Sequence, residues 1–243
     1  MQLIIDIGNT RIKAGIFKQK ELIHHMVFNT IEDFYSEQLI EKYNITNAIV
    51  CSVVKETDEF VNALSKQTHT ILFKSDTPTP LTNQYQSKST LGSDRMAAAI
   101  GGYSLFPNAN VLVIDAGTCL KFNFTNQKNE YIGGAISPGL QMRFKALHHF
   151  TDCLPLVEVD EAYNQLIGTT TTESILSGVQ LAMVNEAEGF IQQYQSNYDN
   201  LTVVLTGGDA NFFEKRLKKP IFADPFILLK GLNEILYYNL IKA

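Results

Sequence analysis

The sequence predicts an α/β chain made of two similar domains, on three observations. Strand-length apolar runs alternate with helix-length amphipathic runs along most of the chain. An opening of three short strands followed by a helix occurs at the start and again after residue 110. Each opening strand also runs into the same kind of turn, Leu3-Ile4-Ile5-Asp6-Ile7-Gly8-Asn9-Thr10 and Val111-Leu112-Val113-Ile114-Asp115-Ala116-Gly117-Thr118. Asp-x-Gly near a Thr is common by chance, but its recurrence in register, between two strands, points to duplication. The domains are expected at about 1–107 and 108–243, facing each other across a cleft.

Residues 2–7, 11–18 and 21–28 read as strands joined by turns at Gly8-Asn9 and Lys18-Gln19-Lys20. A helix is expected over 31–43, a strand over 48–53, a helix over 56–66 and a strand over 69–73. Residues 74–90 carry breakers and polar residues and read as a loop. Met96 to Leu105 reads as a helix opening just after Ser93-Asp94, with Ser93 as a candidate N-cap. In the second half, Val111 to Ala116, Cys119 to Phe124 and Lys128 to Ile136 repeat the three strands. Val203 to Thr206 then runs into Gly207-Gly208 and a further helix. The stretches Met183 to Tyr194 and Phe226 to Leu240 have the apolar spacing of core or dimer helices.

Composition narrows the function classes. The sequence is 45% hydrophobic and 19% charged, ordinary for a globular protein, and a chain of 243 residues is long enough to bury about 70% of its unfolded surface. A net charge of −5 argues against a general nucleic-acid or anionic-membrane binder. Cys51, Cys119 and Cys153 form no C-x-x-C pair, which suits a reducing compartment rather than a disulfide scaffold. The apolar strand at Leu3 stands where a signal peptide would begin, and no run nears the ~18 apolar residues of a membrane span. The chain is expected to be soluble and cytoplasmic, with no nucleic-acid or membrane partner.

The repeated turn has a plain reading, a hairpin bend, and a chemical one. Gly8 and Gly117 let backbone N–H groups approach a phosphate, and the Thr10 and Thr118 hydroxyls can donate to its oxygens. Asp6 and Asp115 at strand ends are hard oxygen ligands for a cation or its waters. Two copies make nucleotide binding the leading reading. The Thr206-Gly207-Gly208 turn is either a tight strand-to-helix connection or a flat surface for a nucleoside. Asp94-Arg95 is either a dipole-stabilised helix start or a base beside a carboxylate-binding guanidinium. Tyr85 lies in a polar loop with no evident core to join, which favours a substrate contact. Asn9 and Lys13 can reach phosphates, or Lys13 sits on the exposed face of its strand.

These stretches resemble a known family. Asp6 to Thr10 with Gly15, Asp115 to Thr118, and Thr206 to Gly208 look like the two phosphate motifs and the adenosine motif of the acetate kinase, sugar kinase, heat-shock chaperone and actin superfamily. The short chain and Leu91-Gly92-Ser93-Asp94-Arg95 before an alanine-rich helix are similar to type III pantothenate kinase. Tyr85, Gly133 to Leu140, Thr151 to Pro155, and Gly168-Thr169-Thr170-Thr171 with Ser177-Gly178 agree with it in order.

The resemblance implies two duplicated ribonuclease-H-like, actin-like ATPase domains with mixed five-stranded sheets flanked by helices. It implies ATP-dependent phosphorylation of pantothenate to 4'-phosphopantothenate, the first step towards coenzyme A, by a homodimer. Magnesium with ATP and a monovalent cation, potassium or ammonium, are its implied cofactors. Carried over by position, Asp6, Ile7, Gly8, Asn9, Thr10, Arg11, Ile12 and Lys13 hold ATP phosphates, with Asp6 on magnesium through water, and Thr118 contacts ATP. Asp115 binds the monovalent cation. Tyr85, Gly92, Ser93, Asp94 and Arg95 contact pantothenate with Asp94 as base, and Thr171 joins them, or Thr170 if the register slips by one. Lys88 stands where the family usually has a proline, and Thr169 where it has a basic residue. Rival readings are a nucleotide-binding transcriptional accessory factor of the same fold, an actin-like filament protein, and a kinase for another small molecule.

Overall fold

The structure is a computed structural model and describes residues 1–54 and 57–242. Two compact units form, neither a single run of chain. The first takes Met1–Asn108, Thr125–Ile132 and the stretch from Phe226 onward; the second takes Ala109–Phe124 and Gly133–Pro225. This grouping differs from consecutive halves at 125–132 and at the final helix.

The first unit is built on a five-stranded sheet in the order β3-β2-β1-β4-β5. Its strands are β1 (Gln2–Ile7), β2 (Ile12–Lys18), β3 (Glu21–Phe28), β4 (Asn47–Ser52) and β5 (His69–Leu72). β1 pairs antiparallel with β2 and parallel with β4, so it is central, and Leu3, Ile4 and Ile5 are fully buried. β3 carries mostly exposed residues, as expected of an edge strand.

The helix expected over 31–43 is broken. α1 (Ile31–Ser36) starts with a capping box in which the Thr30 hydroxyl accepts from Asp33 N at 3.0 Å. Gln38 then turns left-handed at φ 48°, and α2 (Leu39–Lys42) restarts beyond it. The helix expected over 56–66 is α3 (Asp58–Ser65), residue 56 lying outside the described residues. The loop 74–90 holds a two-residue strand, β6 (Thr82–Asn83), and a 3-10 turn at Lys88–Thr90. α4 (Ser93–Leu105) follows.

The second unit repeats the plan. Its strands are β7 (Val111–Ala116), β8 (Cys119–Thr125), β9 (Glu130–Pro138), β10 (Thr202–Thr206) and β11 (Phe222–Ala223). The second sheet has six strands rather than the expected five, β11-β10-β7-β8-β9-β6; its first five match the first sheet strand for strand, and β7–β10 and β10–β11 are parallel like β1–β4 and β4–β5. β6 pairs with the first residues of β9, Thr82 with Glu130 and Asn83 with Tyr131, all grouped with the first unit. Around the second sheet lie α5 (Leu140–His149), α6 (Thr171–Leu176), α7 (Ala182–Asn197) and α8 (Ala210–Glu214). A π turn at Ser177–Leu181 joins α6 to α7.

The last helix, α9 (Ile227–Lys242), packs against α4 in the first unit. Side chains at Gly101 or Gly231 would collide with the Ile227 or Ala97 carbonyl, so the two backbones touch only because both are glycine. Leu229, Leu232, Ile235 and Leu236 complete a core with Ile4, Phe17, Ile49 and the α4 alanines. The apolar pattern from Phe226 is therefore a core pattern. No helix among the described residues is long and apolar enough to cross a membrane.

Candidate active site

In the first unit the candidate groups collect where β1 and β4 end. Asp6 is 7% exposed and lies opposite Lys13 in the antiparallel register, where cross-strand side chains share a face. The bend between them is closed by Gly8 N donating to Arg11 O at 3.0 Å. Asn9, Thr10 and Arg11 are exposed at its tip. Ile7 and Ile12 are buried in the core, so they offer a ligand only backbone atoms. Lys13 lies close to His25, whose imidazole is pushed below its ordinary value by burial first and then by Lys13 and His24.

The start of α4 is tied to the same strand ends. Cys51 is the register partner of Asp6 and Ser52 that of Ile7. The Ser93 hydroxyl accepts from Cys51 Sγ at 3.3 Å and donates to Ser52 O at 3.4 Å. Ser93 is thus the first helical residue, and the N-cap is Gly92, in place of the Ser93 cap read from sequence. The difference arises because Ser93 spends its hydroxyl on β4, a partner distant in sequence. The Asp94 carboxylate folds back to accept from Arg95 N at 2.9 Å, and a Cβ on Gly92 would stand 2.5 Å from its Oδ1. Gly92 is the clearance that lets the carboxylate sit there.

Arg95 is 5% exposed, with its guanidinium 5.6 Å from the centre of the Tyr85 ring. Tyr85 is half-buried, and its ring lies 6.2 Å from that of Tyr131. The expectation that Tyr85 has no core to join is therefore corrected: it packs on the cluster that holds Tyr131 and Met96. Lys88, in the 3-10 turn, lines a cavity of about 50 Å³ together with Lys74, Thr79, Asn83 and Ser93.

In the second unit, Asp115 is the last residue but one of β7, beside Thr206 on β10, its register partner. The turn after it is enclosed from two directions. Gly139 N donates to Thr118 O at 3.2 Å, and any side chain at Gly139 would strike the Gly117 and Thr118 carbonyls. Gly207 sits at φ +100° with its Cα against the Ala116 carbonyl, which also accepts from Asp209 N at 2.9 Å. Burial pushes the Asp209 carboxyl above its ordinary value. Gly117 has open space before it, since a Cβ there would meet nothing nearer than Asp115 Oδ1 at 3.9 Å. Thr118 is exposed at the tip.

Two residues of the second unit went unread in the sequence. Lys121 Nζ donates to Asp115 Oδ2 at 2.8 Å. Glu173 caps α6, its carboxylate accepting from Thr169 N and Oγ1 at 2.7 Å and from Thr170 N at 3.1 Å, while the Thr170 hydroxyl accepts from Glu173 N. Hydrogen bonds from Thr169 hold Glu173 below its ordinary value. The Thr-x-x-Glu spacing at 170–173 is a capping-box signal that a closer reading would have caught.

With this geometry in place, comparison with known proteins is decisive. A sequence profile described as type III pantothenate kinase matches residues 2–193. The chain belongs to the type III pantothenate kinase family. Relatives carrying that family name include one from Flavobacterium johnsoniae, 40% identical over 99% of this chain and 99% of the relative. Another, from Cytophaga hutchinsonii, is 43% identical over 98% of this chain and the whole of the relative. Among solved structures, a Baf family transcriptional activator from Campylobacter jejuni is similar at a TM-score of 0.65, with 20% identity over 98% of this chain and 99% of that one. At that identity the likeness speaks for the fold alone. The fold of this family member is the actin-like ATPase arrangement of sugar kinases, as expected.

Proposed function

We propose that the chain transfers the γ-phosphoryl group of ATP to the primary hydroxyl of pantothenate, giving ADP and 4'-phosphopantothenate. Family membership supports the kinase class. The observation that carries the residue assignment is Asp94, whose carboxylate is poised at the start of α4 and tied through Ser93 to the strand ends that present Asp6.

Phosphoryl transfer asks a protein mainly to position reactants and stabilise charge. The pantothenate hydroxyl oxygen forms the new bond to phosphorus and gives its proton to the Asp94 carboxylate, and the bond to the β-phosphate oxygen breaks. Arg95, bidentate and permanently charged, is suited to the pantothenate carboxylate, and Tyr85 holds the guanidinium plane. Gly92 and Ser93 supply backbone contacts. Thr171 is preferred over Thr170 as the hydroxyl facing substrate, because Thr170 is engaged in the α6 cap. Gly8 to Lys13 and Thr118 form the phosphate-binding turns.

Magnesium fits the donors present. Among the described residues no three His, Cys, Asp or Glu side chains cluster as a protein cage. Mg²⁺ asks for little more than a carboxylate such as Asp6, with waters and phosphate oxygens filling its octahedron. When bound with ATP it neutralises phosphate charge. The family resemblance also supports a homodimer, a cytoplasmic location, a monovalent cation (potassium or ammonium) at Asp115, and an origin of the two halves by duplication.

The test is ADP release with ATP and magnesium, with and without pantothenate, beside Asp94→Asn. Pantothenate-dependent turnover that falls about 10²–10⁴-fold in the variant is the expected result. ATP binding without pantothenate-dependent turnover would overturn the assignment.

A further inference from the structure

The resemblance asks for a potassium or ammonium ion at Asp115, and the residues present do not fit one. Lys121 Nζ lies 2.8 Å from Asp115 Oδ2, with the two side chains only 18% and 15% exposed. The hairpin builds this pair itself. β7 ends at Ala116 and β8 begins at Cys119, so its third residue, Lys121, comes back beside Asp115. An ion on the same carboxylate would either displace the lysine or stand next to another cation. The first removes a charge-assisted hydrogen bond from a mostly buried ammonium, and the second adds like-charge repulsion where water screens poorly.

Ammonium and the lysine head group are one chemistry, a unit positive charge with N–H donors. One must be recruited from solution. The other is tethered, at the high effective concentration of an intramolecular partner. We infer that Lys121 is this chain's built-in monovalent cation, supplying at Asp115 the charge that the resemblance assigns to potassium or ammonium. The reaction then needs no added monovalent ion at this carboxylate. The activity readout rests on the proposed phosphoryl transfer, whereas the binding readout does not.

The experiment compares wild type, Lys121→Ala and the longer neutral variant Lys121→Gln in choline, potassium and ammonium chlorides at equal ionic strength. ADP release and thermal melting are both recorded. Wild type should turn over within about twofold in all three salts, with equal melting temperatures. Lys121→Ala should lose roughly 10²-fold in choline, recover in potassium or ammonium, and melt higher in those salts than in choline. Lys121→Gln repeats the test if the alanine variant does not fold. Wild-type turnover that depends on potassium or ammonium would overturn the inference. So would a folded neutral variant that is fully active in choline, or one that no salt restores. If wild type shows no pantothenate-dependent turnover in any salt, the proposed reaction fails, and the melting comparison still decides the role of Lys121.

Discussion

The two Asp-x-Gly turns come from matching hairpins but are held in different ways. The first is self-contained: Gly8 N reaches Arg11 O within the bend, and a Cβ on Gly8 would meet only that oxygen, at 3.3 Å. The second is one residue shorter between Asp and Thr; it too closes on itself, Gly117 N donating to Cys119 O at 3.1 Å, but it is also packed by neighbours. Gly139 at the head of α5, the Gly207 turn and Lys121 all press on it. One hairpin plan thus gives two loops with exposed tips, the second of them also packed from its sides.

The largest test of this contrast is Gly139→Ala, whose methyl would strike two carbonyls of the second turn. A loss of about 3 kcal/mol in denaturant unfolding is expected, against about 1 kcal/mol for Gly8→Ala at the self-contained turn. Equal losses would break the comparison. Next comes Asp115→Asn, which takes the carboxylate from a Lys121 ammonium that is 18% exposed. Its expected cost, after allowance for partial exposure, is about 2 kcal/mol by the same measurement. Gly117→Ala sharpens the contrast differently: with nothing within 3.9 Å, it should change stability by less than about 0.5 kcal/mol. Yet, on the proposed phosphate-binding role of this turn, it should slow ADP release about tenfold, because its methyl would stand in the path of the phosphate.

The smallest effect concerns pH at Asp209. Its folded value lies above the ordinary one because burial disfavours the charge. A raised acid value means the folded state holds its proton longer. The penalty is absent below the unfolded value and grows as pH rises through the folded one. Measured against Asp209→Asn, wild type should therefore gain about 1 °C in melting temperature as pH falls from neutral through that window. No relative gain on acidification would mean that the second turn does not enclose Asp209 as described.

The hairpins were legible because their signals are local: an apolar run, a turn, another run. The break at Gln38 was not, because a left-handed glutamine carries no mark in sequence and the apolar spacing runs across it. Ser93 and Tyr85 were misread for one reason, since each takes its partners from residues far along the chain, β4 for one and Tyr131 for the other. Lys121 was within reach. Matching Thr10 to Thr118 aligns Lys13 with Lys121, so the repeated pattern already set a lysine against each aspartate. The stretch Gly92 to Arg95, proposed to contact substrate, was readable only through resemblance, because Asp before Arg at a helix start has an ordinary explanation.

The packing of α9 on α4 has a consequence for synthesis. Residues 1–108 are made well before α9, yet the core around Ile4 and Phe17 lacks Leu229, Leu232, Ile235 and Leu236 until α9 follows. The second unit finishes its stretch, to Pro225, before that helix is made. The unit begun first on the ribosome is therefore completed last, and it must wait with an open apolar face while its younger neighbour folds.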